Sequence, residues 1–516
     1  MKPFGGSFIC NTTLLSTMMP QAMDNRAGEL RTESRGETRD RSGSPQRQQP
    51  ASKFAGKRIH FIGIGGSGMS GLARMLLDSG AIISGSEPKP NPQTIELAER
   101  GVKISRNQLG ELVSREVDLV VRTAAVKDTN AEFQTAAQYG LQTIKYAQML
   151  GMVMAERLGV AIAGTHGKST TTAMTAFALT RCGADPSFVV GGTVPQLGGG
   201  SHSGQGRAFI AEACEFDRSF HNLRPKVAVI TNVEADHLDC YKDLDEIIES
   251  FRTFAKLVPG DGVVLVNGMD RNARKAVAGV QATVQTVAID ANADWTGVTT
   301  AVEDGCYHGE IHRDGTAVAH LRLAVAGIHN FFDATMAIAA CAACGIDPAY
   351  AADALAEFRG VDRRMTEVGR YHRAIIVDDY GHHPTEIRAT LKALRLRYSP
   401  DRLLCVFQPH QHSRTRHLLD EFAKAFVDAD ETIIPDIYFV RDSEAERQRV
   451  TAEDLVERIN RNGQNAMHLS SFKQITDLLR TELGAGDVMV TMGAGNVWEI
   501  GRELVAEAEA SMRSSA

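Results

Sequence analysis

The sequence predicts an α/β protein built as three domains, and three observations carry that prediction. The chain has 516 residues, and at about 100–200 residues per domain a single core is too small a container. Buried-looking strands alternate with amphipathic helices from Lys57 onward, the pattern of parallel sheets covered by helices. A strand that runs into a glycine-rich loop and then a helix occurs twice, at Gly63–Gly68 and at Gly164–Lys168.

The first unit, 53–157, opens with strand KRIHFIG and then Gly63-Ile64-Gly65-Gly66-Ser67-Gly68. Met69, Leu72, Ala73, Leu76 and Leu77 follow at helical spacing, and Gly80 is placed to end that helix. AIISGSE and VDLVVRT read as further strands. The second unit, 158–361, opens with LGVAIAG, the loop Gly164-Thr165-His166-Gly167-Lys168-Ser169-Thr170 and an Ala/Thr-rich helix. Strands AFIAEA, KVAVIT and GVVLVN follow, a strand-rich stretch covers 280–326, and a helix spans 329–344. The third unit, 362–516, reads RAIIVDD, helix, RLLCVF, helix, TIIP, two helices, DVMVTMG and a last helix.

Residues 1–52 differ in kind. From Asp24 to Ser52 the only apolar residues are Ala27, Leu30 and Ala51, with alternating Arg and Glu between them. Such a stretch cannot bury enough surface to offset its ordering entropy. It is too acidic for a transit peptide, and reads as a disordered extension or a wrongly chosen start.

Composition narrows the function classes. Fifty-six basic residues against 63 acidic give a net charge of −7, which offers no electrostatic footprint for nucleic acid. No apolar run approaches a membrane span. Eight dispersed cysteines and no secretory pattern fit a reducing cytoplasm. Cys341-x-x-Cys344 lies in an Ala-rich apolar stretch, where that spacing is one face of a buried helix rather than a redox pair.

Gly63-x-Gly65-x-x-Gly68 lets backbone approach a diphosphate at a helix N-terminus, with Glu87 near where a ribose-binding acid sits. The loop alone does not separate a uridine diphosphate from a dinucleotide, or either from a tight strand–helix turn. Gly164-x-x-Gly167-Lys168-Ser169 is shorter than the usual phosphate loop but carries its parts. Glycines expose N–H groups, a lysine meets phosphate charge and a hydroxyl can reach Mg2+. Glu212-Ala213-Cys214-Glu215-Phe216-Asp217 and Thr231-Asn232-Val233-Glu234-Ala235-Asp236-His237 each end a strand. Their carboxylates and imidazole suit a metal beside a triphosphate, or equally helix caps and loop charges. In the third unit His382, His383, His410, His412 and His417 read as the wall of an anionic substrate's pocket more than as a chelate.

Seven strings in order, IHFIGIGGSGMSGLA, GTHGKSTTT, TNVEADHLD, GIHNFFDA, DDYGHHPTE, FQPHQHSRTR and GAGNVW, resemble the Mur ligase family across 57–510. The resemblance implies a Rossmann-like N-terminal UDP-binding domain, a central P-loop-type ATPase domain and a C-terminal Rossmann-like domain. It also implies ATP- and Mg2+-dependent joining of L-alanine to the lactyl carboxylate of UDP-N-acetylmuramate through an acyl phosphate. A monomer or weak homodimer would carry out this step of peptidoglycan precursor synthesis.

By motif, Gly164, Thr165, His166, Gly167, Lys168, Ser169, Thr170, His329, Asn330 and Arg363 or Arg364 would hold ATP. Ser169, Glu212 and His237 would hold Mg2+, and Lys168, Glu212 and His237 would be catalytic. Gly63, Gly65, Gly66, Ser67, Gly68, Ser86, Glu87 and Thr123 would bind the UDP substrate. Tyr380, His382, His383, His410 and Arg414 would line the muramate and alanine end. The chain departs from the family pattern at Cys214 and Phe216, which replace polar residues. Asp333 stands where a second asparagine is usual, Gln411 where an arginine is common and His412 where a tyrosine is. A related ligase adding another amino acid or a peptide, an NAD-dependent oxidoreductase and a non-catalytic UDP-sugar-binding protein are the rival readings.

Overall fold

The computed structural model describes residues 52–123 and 125–515. The expected disordered extension therefore lies outside the described residues, Ser52 apart. Three sheets follow one another along the chain, in keeping with the three-domain α/β architecture read from the sequence.

The first sheet is wholly parallel. Arg58–Ile62 sits at its centre, between Ile82–Ser86 and Leu119–Arg122, with Lys103–Ser105 and Thr143–Lys145 outside them. Strand RIHFI is buried along all but its first residue, as a parallel strand covered on both faces must be. Helix Ser67–Asp78 turns Met69, Leu72, Ala73 and Leu76 of the predicted stripe into the core, with Leu77 half-buried at its margin.

The second sheet has ten strands. Leu158–Ala163 lies between Val227–Ile230 and Ala208–Glu212, parallel to both. Trp295–Glu303, Cys306–Arg313 and Thr316–Ala326 form an antiparallel meander at one edge. At the other edge are two strands without a strong sequence signal, Ser187–Val194 and Gly199–His202. The first buries Phe188, Val190 and Val194 in the core and pairs in parallel with Ala208–Glu212, and the second, rich in glycine, is placed by pairing with the first. Helix Ile328–Ala343 packs against helix Lys168–Arg181. Cys341 is buried there with its Sγ 3.8 Å from the Thr175 carbonyl, a core position as expected.

The third sheet runs Thr366–Tyr371, Ala374–Asp379, Asp487–Met492, Arg402–Phe407, Glu431–Ile434 and Ala466–His468. All pairs are parallel except the first. Among the described residues no helix is long and apolar enough to cross a membrane.

Candidate active site

The phosphate-type loop leaves strand Leu158–Ala163 at its C-terminal end, where ligands collect in open parallel sheets. Gly164 has φ +148°, and a Cβ there would stand 1.8 Å from Thr231 Oγ1. Gly167, at φ +78°, caps helix Lys168–Arg181 and abuts the Asp333 carboxylate. The loop is tied to the next strand end. His166 N–H donates to Asn232 Oδ1 at 2.8 Å, Thr231 Oγ1 donates to the His166 carbonyl at 2.5 Å, and Glu234 N–H donates to Thr165 Oγ1 at 2.8 Å.

Lys168, Ser169, Glu212 and His237 come together. Ser169 Oγ donates to Glu212 Oε2 at 2.9 Å, and Gly191 N–H donates to the same oxygen at 2.8 Å. Lys168 Nζ donates to the Gly164 and Thr165 carbonyls at 2.6 and 3.0 Å and to Glu215 Oε1 at 3.0 Å. His237 Nε2 lies 3.5 Å from that same Glu215 oxygen. Burial works against the Lys168 charge, but Glu215 outweighs it and raises the ammonium pKa. Burial also opposes ionisation of Glu215, yet Lys168 and His237 hold its carboxyl below the usual range. Glu215 Oε2 and His237 Nδ1 are buried without a hydrogen-bond partner. Oxygen donors from Ser169 and Glu212 beside these orphaned atoms suit a hard divalent cation such as Mg2+.

Two cavities flank this cluster. One, of about 330 Å³, is lined by Gly66, Ser67, Gly68 and Thr123 from the first domain and by Glu212, Cys214 and Asp217 from the second. Gly63, Gly65, Ser86 and Glu87 do not line it. Glu87 Oε2 accepts from Gly65 N–H at 3.1 Å, and the buried Ser86 hydroxyl donates to Glu132 at 2.5 Å. Both side chains thus brace the glycine loop or the sheet in this arrangement. Tyr146 and Lys145 also line the cavity, and Lys145 pairs with Asp217 at 2.9 Å.

The other cavity, about 160 Å³, is lined by His166, Gly167, Thr170, His329, Asn330, Asp333 and Arg364, with Asp379 and Glu386 from the third domain. Arg364 faces it. Arg363 instead donates to Asp378 and to the Gly493 carbonyl, both at 2.9 Å, so only one of the two candidate arginines borders the cavity. Burial, with Arg364 nearby, lowers the His329 pKa to about 4, while burial lifts Asp333 to about 7. His166 lies 3.4 Å from Glu386 and 3.6 Å from Glu234. Burial disfavours its charge, but these two carboxylates prevail and raise it to about 9.

The five histidines of the third unit do not converge. His382 and His410 lie together, ring centroids 6.0 Å apart, near Tyr380, whose ring Arg363 and Arg364 both cover. Burial lowers His382 to about 3 and His410 to about 4. His383 leaves them to pack against His166, His412 is buried beside Phe439, and His417 is exposed. Among the described residues, the His/acid group close enough to share an ion is His166, Glu234 and His383. Arg414 does not stand open: its Nη2 and Nε reach Asp236 Oδ1 at 2.9 and 3.0 Å, joining the second and third domains.

Sequence reasoning missed Glu215 as the partner of Lys168, and gave no role to Glu386, the last residue of DDYGHHPTE. The signal for Glu386 was present, since His383-x-x-Glu386 is a capping box opening helix Pro384–Tyr398.

A strand–loop–helix of phosphate-loop type with a lysine, a carboxylate–imidazole cluster and a second glycine loop, spread over three α/β domains, are the parts of a nucleotide-using enzyme. The chain belongs to the Mur ligase family. It matches the family's catalytic domain over 58–158, its middle domain over 162–341 and its glutamate ligase domain over 363–495. It is 40% identical to the UDP-N-acetylmuramate–L-alanine ligase of Caldanaerobacter subterraneus, covering 87% of this chain and 98% of that one. It is also 40% identical to the enzyme of the same name from Acetivibrio thermocellus, over 86% and 95%. Among solved structures it is similar to UDP-N-acetylmuramate-alanine ligase MurC of Thermotoga maritima, with TM-score 0.71, 25% identity and coverage of 88% and 99%. A murein peptide ligase from Psychrobacter arcticus matches at TM-score 0.63 and 26% identity, over 87% and 98%.

Proposed function

We propose that this protein joins L-alanine to the lactyl carboxylate of UDP-N-acetylmuramate, releasing ADP and phosphate, as a monomer or weak homodimer in the cytoplasm. The relatives of that name support the substrates. The observation that carries the reading is the place of Glu212: it lines the cavity that begins at Gly66–Gly68 and accepts from Ser169 at the foot of the phosphate loop. A substrate diphosphate on the first loop and a triphosphate on the second would therefore meet at one carboxylate.

A carboxylate is a poor acylating agent, and phosphorylation supplies its leaving group. The lactyl carboxylate attacks the γ-phosphorus, giving an acyl phosphate and ADP. The amine of alanine then displaces phosphate through a tetrahedral intermediate. Both partners in the first step are anions, so charge neutralisation is the main work of the site. Lys168 stays charged through its contact with Glu215 and, bonded to two loop carbonyls, is aimed at the phosphate loop. Ser169, Glu212 and His237 would hold Mg2+, which when bound would supply further positive charge to offset that of the triphosphate. His166, Thr170, His329, Asn330 and Arg364 would line the ATP pocket, with Arg363 holding the end of strand Ala374–Asp379 before Tyr380 through Asp378. Tyr380, His382 and His410 would wall the acceptor end, where His382 and His410 are neutral and leave positive charge to arginines, while His383 packs on His166 at the phosphate loop.

ADP release measured with UDP-N-acetylmuramate, ATP and Mg2+, with each amino acid in turn, tests this. Release that needs L-alanine is expected. Release that prefers glycine or a tripeptide, or needs no ATP, would overturn it.

A further inference from the structure

Two of the departures from the family pattern, Phe216 and Gln411, touch one residue that no motif contains. Arg441 places its guanidinium over the Phe216 ring, 4.7 Å from the centroid, and donates from Nη2 to Gln411 Oε1 at 3.4 Å. Its backbone sits at φ +60°, a conformation that a bulky residue keeps only where neighbours enforce it.

The enforcing contacts are visible. Asp442 accepts from His412 N–H at 2.5 Å, Ser413 N–H at 3.2 Å and Ser413 Oγ at 2.6 Å. Gln411 N–H donates to the Tyr438 carbonyl, and Tyr438 N–H to that of Pro409. The turn that carries Arg441 is thereby pinned along the His410–Ser413 segment, at the acceptor end of the site.

The charge pattern gives this placement its meaning. Arg414 is consumed by Asp236, Gln411 carries no charge, and His382 and His410 are neutral. Arg441 is exposed and, among the described residues, has no carboxylate within ion-pair distance. Phe216 meanwhile packs against His237 at 5.2 Å between centroids, so one aromatic ring connects this guanidinium to the proposed metal ligand. An amino acid that attacks with its amine must park its own carboxylate near a cation, away from the anionic acyl phosphate.

We propose that Arg441, shelved on Phe216 and steered by Gln411, binds the carboxylate of the incoming amino acid and supplies the positive charge that position 411 lacks. The assignment rests on the ligase reading above.

Steady-state kinetics of the full chain test it, with L-alanine and L-alaninamide, which has no carboxylate, as acceptors. Wild-type protein without alanine-dependent ADP release would sink the ligase reading itself, whatever Arg441 does. Given that release, Arg441→Ala should raise KM for L-alanine about tenfold or more, the worth of a charged hydrogen bond. KM for ATP and for UDP-N-acetylmuramate should stay unchanged, and the preference for alanine over alaninamide should collapse. Arg441→Lys should fall between the two. An unchanged KM for alanine, equal losses with both acceptors, or a rise in KM for UDP-N-acetylmuramate instead would each overturn the proposal.

Discussion

Replacing Asp333 by asparagine should flatten the pH dependence of ATP binding between about pH 6 and pH 8. Asp333 is 5% exposed, lines the proposed ATP cavity and lies against Gly167 at the start of the phosphate-loop helix. Burial raises its carboxyl pKa to about 7, against the pull of Thr171, Arg364 and His166. About a tenth of the molecules carry the charged form one pH unit below that value, and about nine tenths one unit above. If only the neutral form admits the anionic triphosphate, the apparent dissociation constant grows about tenfold across the window.

His166, lifted to about 9, and His329, lowered to about 4, do not titrate within the window. Asp379, raised by burial to about 6, does so at its lower edge and is retained in the variant. The sign for stability agrees. The folded carboxyl keeps a proton that the unfolded one, at 3.8, has released. Stability is therefore lost as pH rises from about 4 to 7, by an amount on the order of 4 kcal/mol that Asp333→Asn removes. Calorimetric titration of ATP at a series of pH values is the assay. A variant with the same pH slope as wild type would refute the assignment.

Lys168→Ala should slow ADP release by about 10³-fold or more while UDP-N-acetylmuramate binding, followed by calorimetry, stays measurable; retained turnover would remove the lysine from the chemistry. Gly164→Ala would drive a Cβ to 1.8 Å from Thr231 Oγ1, and the displaced loop should cost about 10²-fold in ADP release. Near-normal release would show the turn to be less constrained than its φ implies. Breaking the buried Asp236–Arg414 pair by Arg414→Ala should cost about 3–5 kcal/mol, because Asp236 is left as an uncompensated buried charge. Scanning calorimetry should find Asp236→Ala with Arg414→Ala less damaging than the two single losses added, and simple additivity would count against the pair.

Much of the site was legible because parallel strands deliver their C-terminal ends to one edge. Ala163, Glu212 and Ile230 end neighbouring strands, so the motifs following them had to meet. What escaped depends on contacts between distant segments. Glu215 reaches Lys168 from the loop that follows strand Ala208–Glu212, a side-chain direction that no spacing in the sequence announces. Ser86 and Glu87 follow a strand end as the motif requires, yet the structure commits them to Glu132 and Gly65. The five histidines looked like one wall, but His412 and His417 begin and end the short helix His412–His417 and face different surroundings. Ser187–Val194 offered only a short apolar run, Phe188–Val190, interrupted by Gly191 and Gly192, too little to separate a strand from a buried turn before its pairing with Ala208–Glu212 is seen.

One site should couple ATP cleavage to the joining of L-alanine and UDP-N-acetylmuramate. Mass spectrometry of the products formed from UDP-N-acetylmuramate, ATP, Mg2+ and mixed amino acids tests it most directly. The expected dominant product is the UDP-N-acetylmuramoyl-L-alanine adduct, formed mole for mole with ADP. A different amino-acid adduct in clear excess, or ATP consumed with no adduct at all, would contradict it.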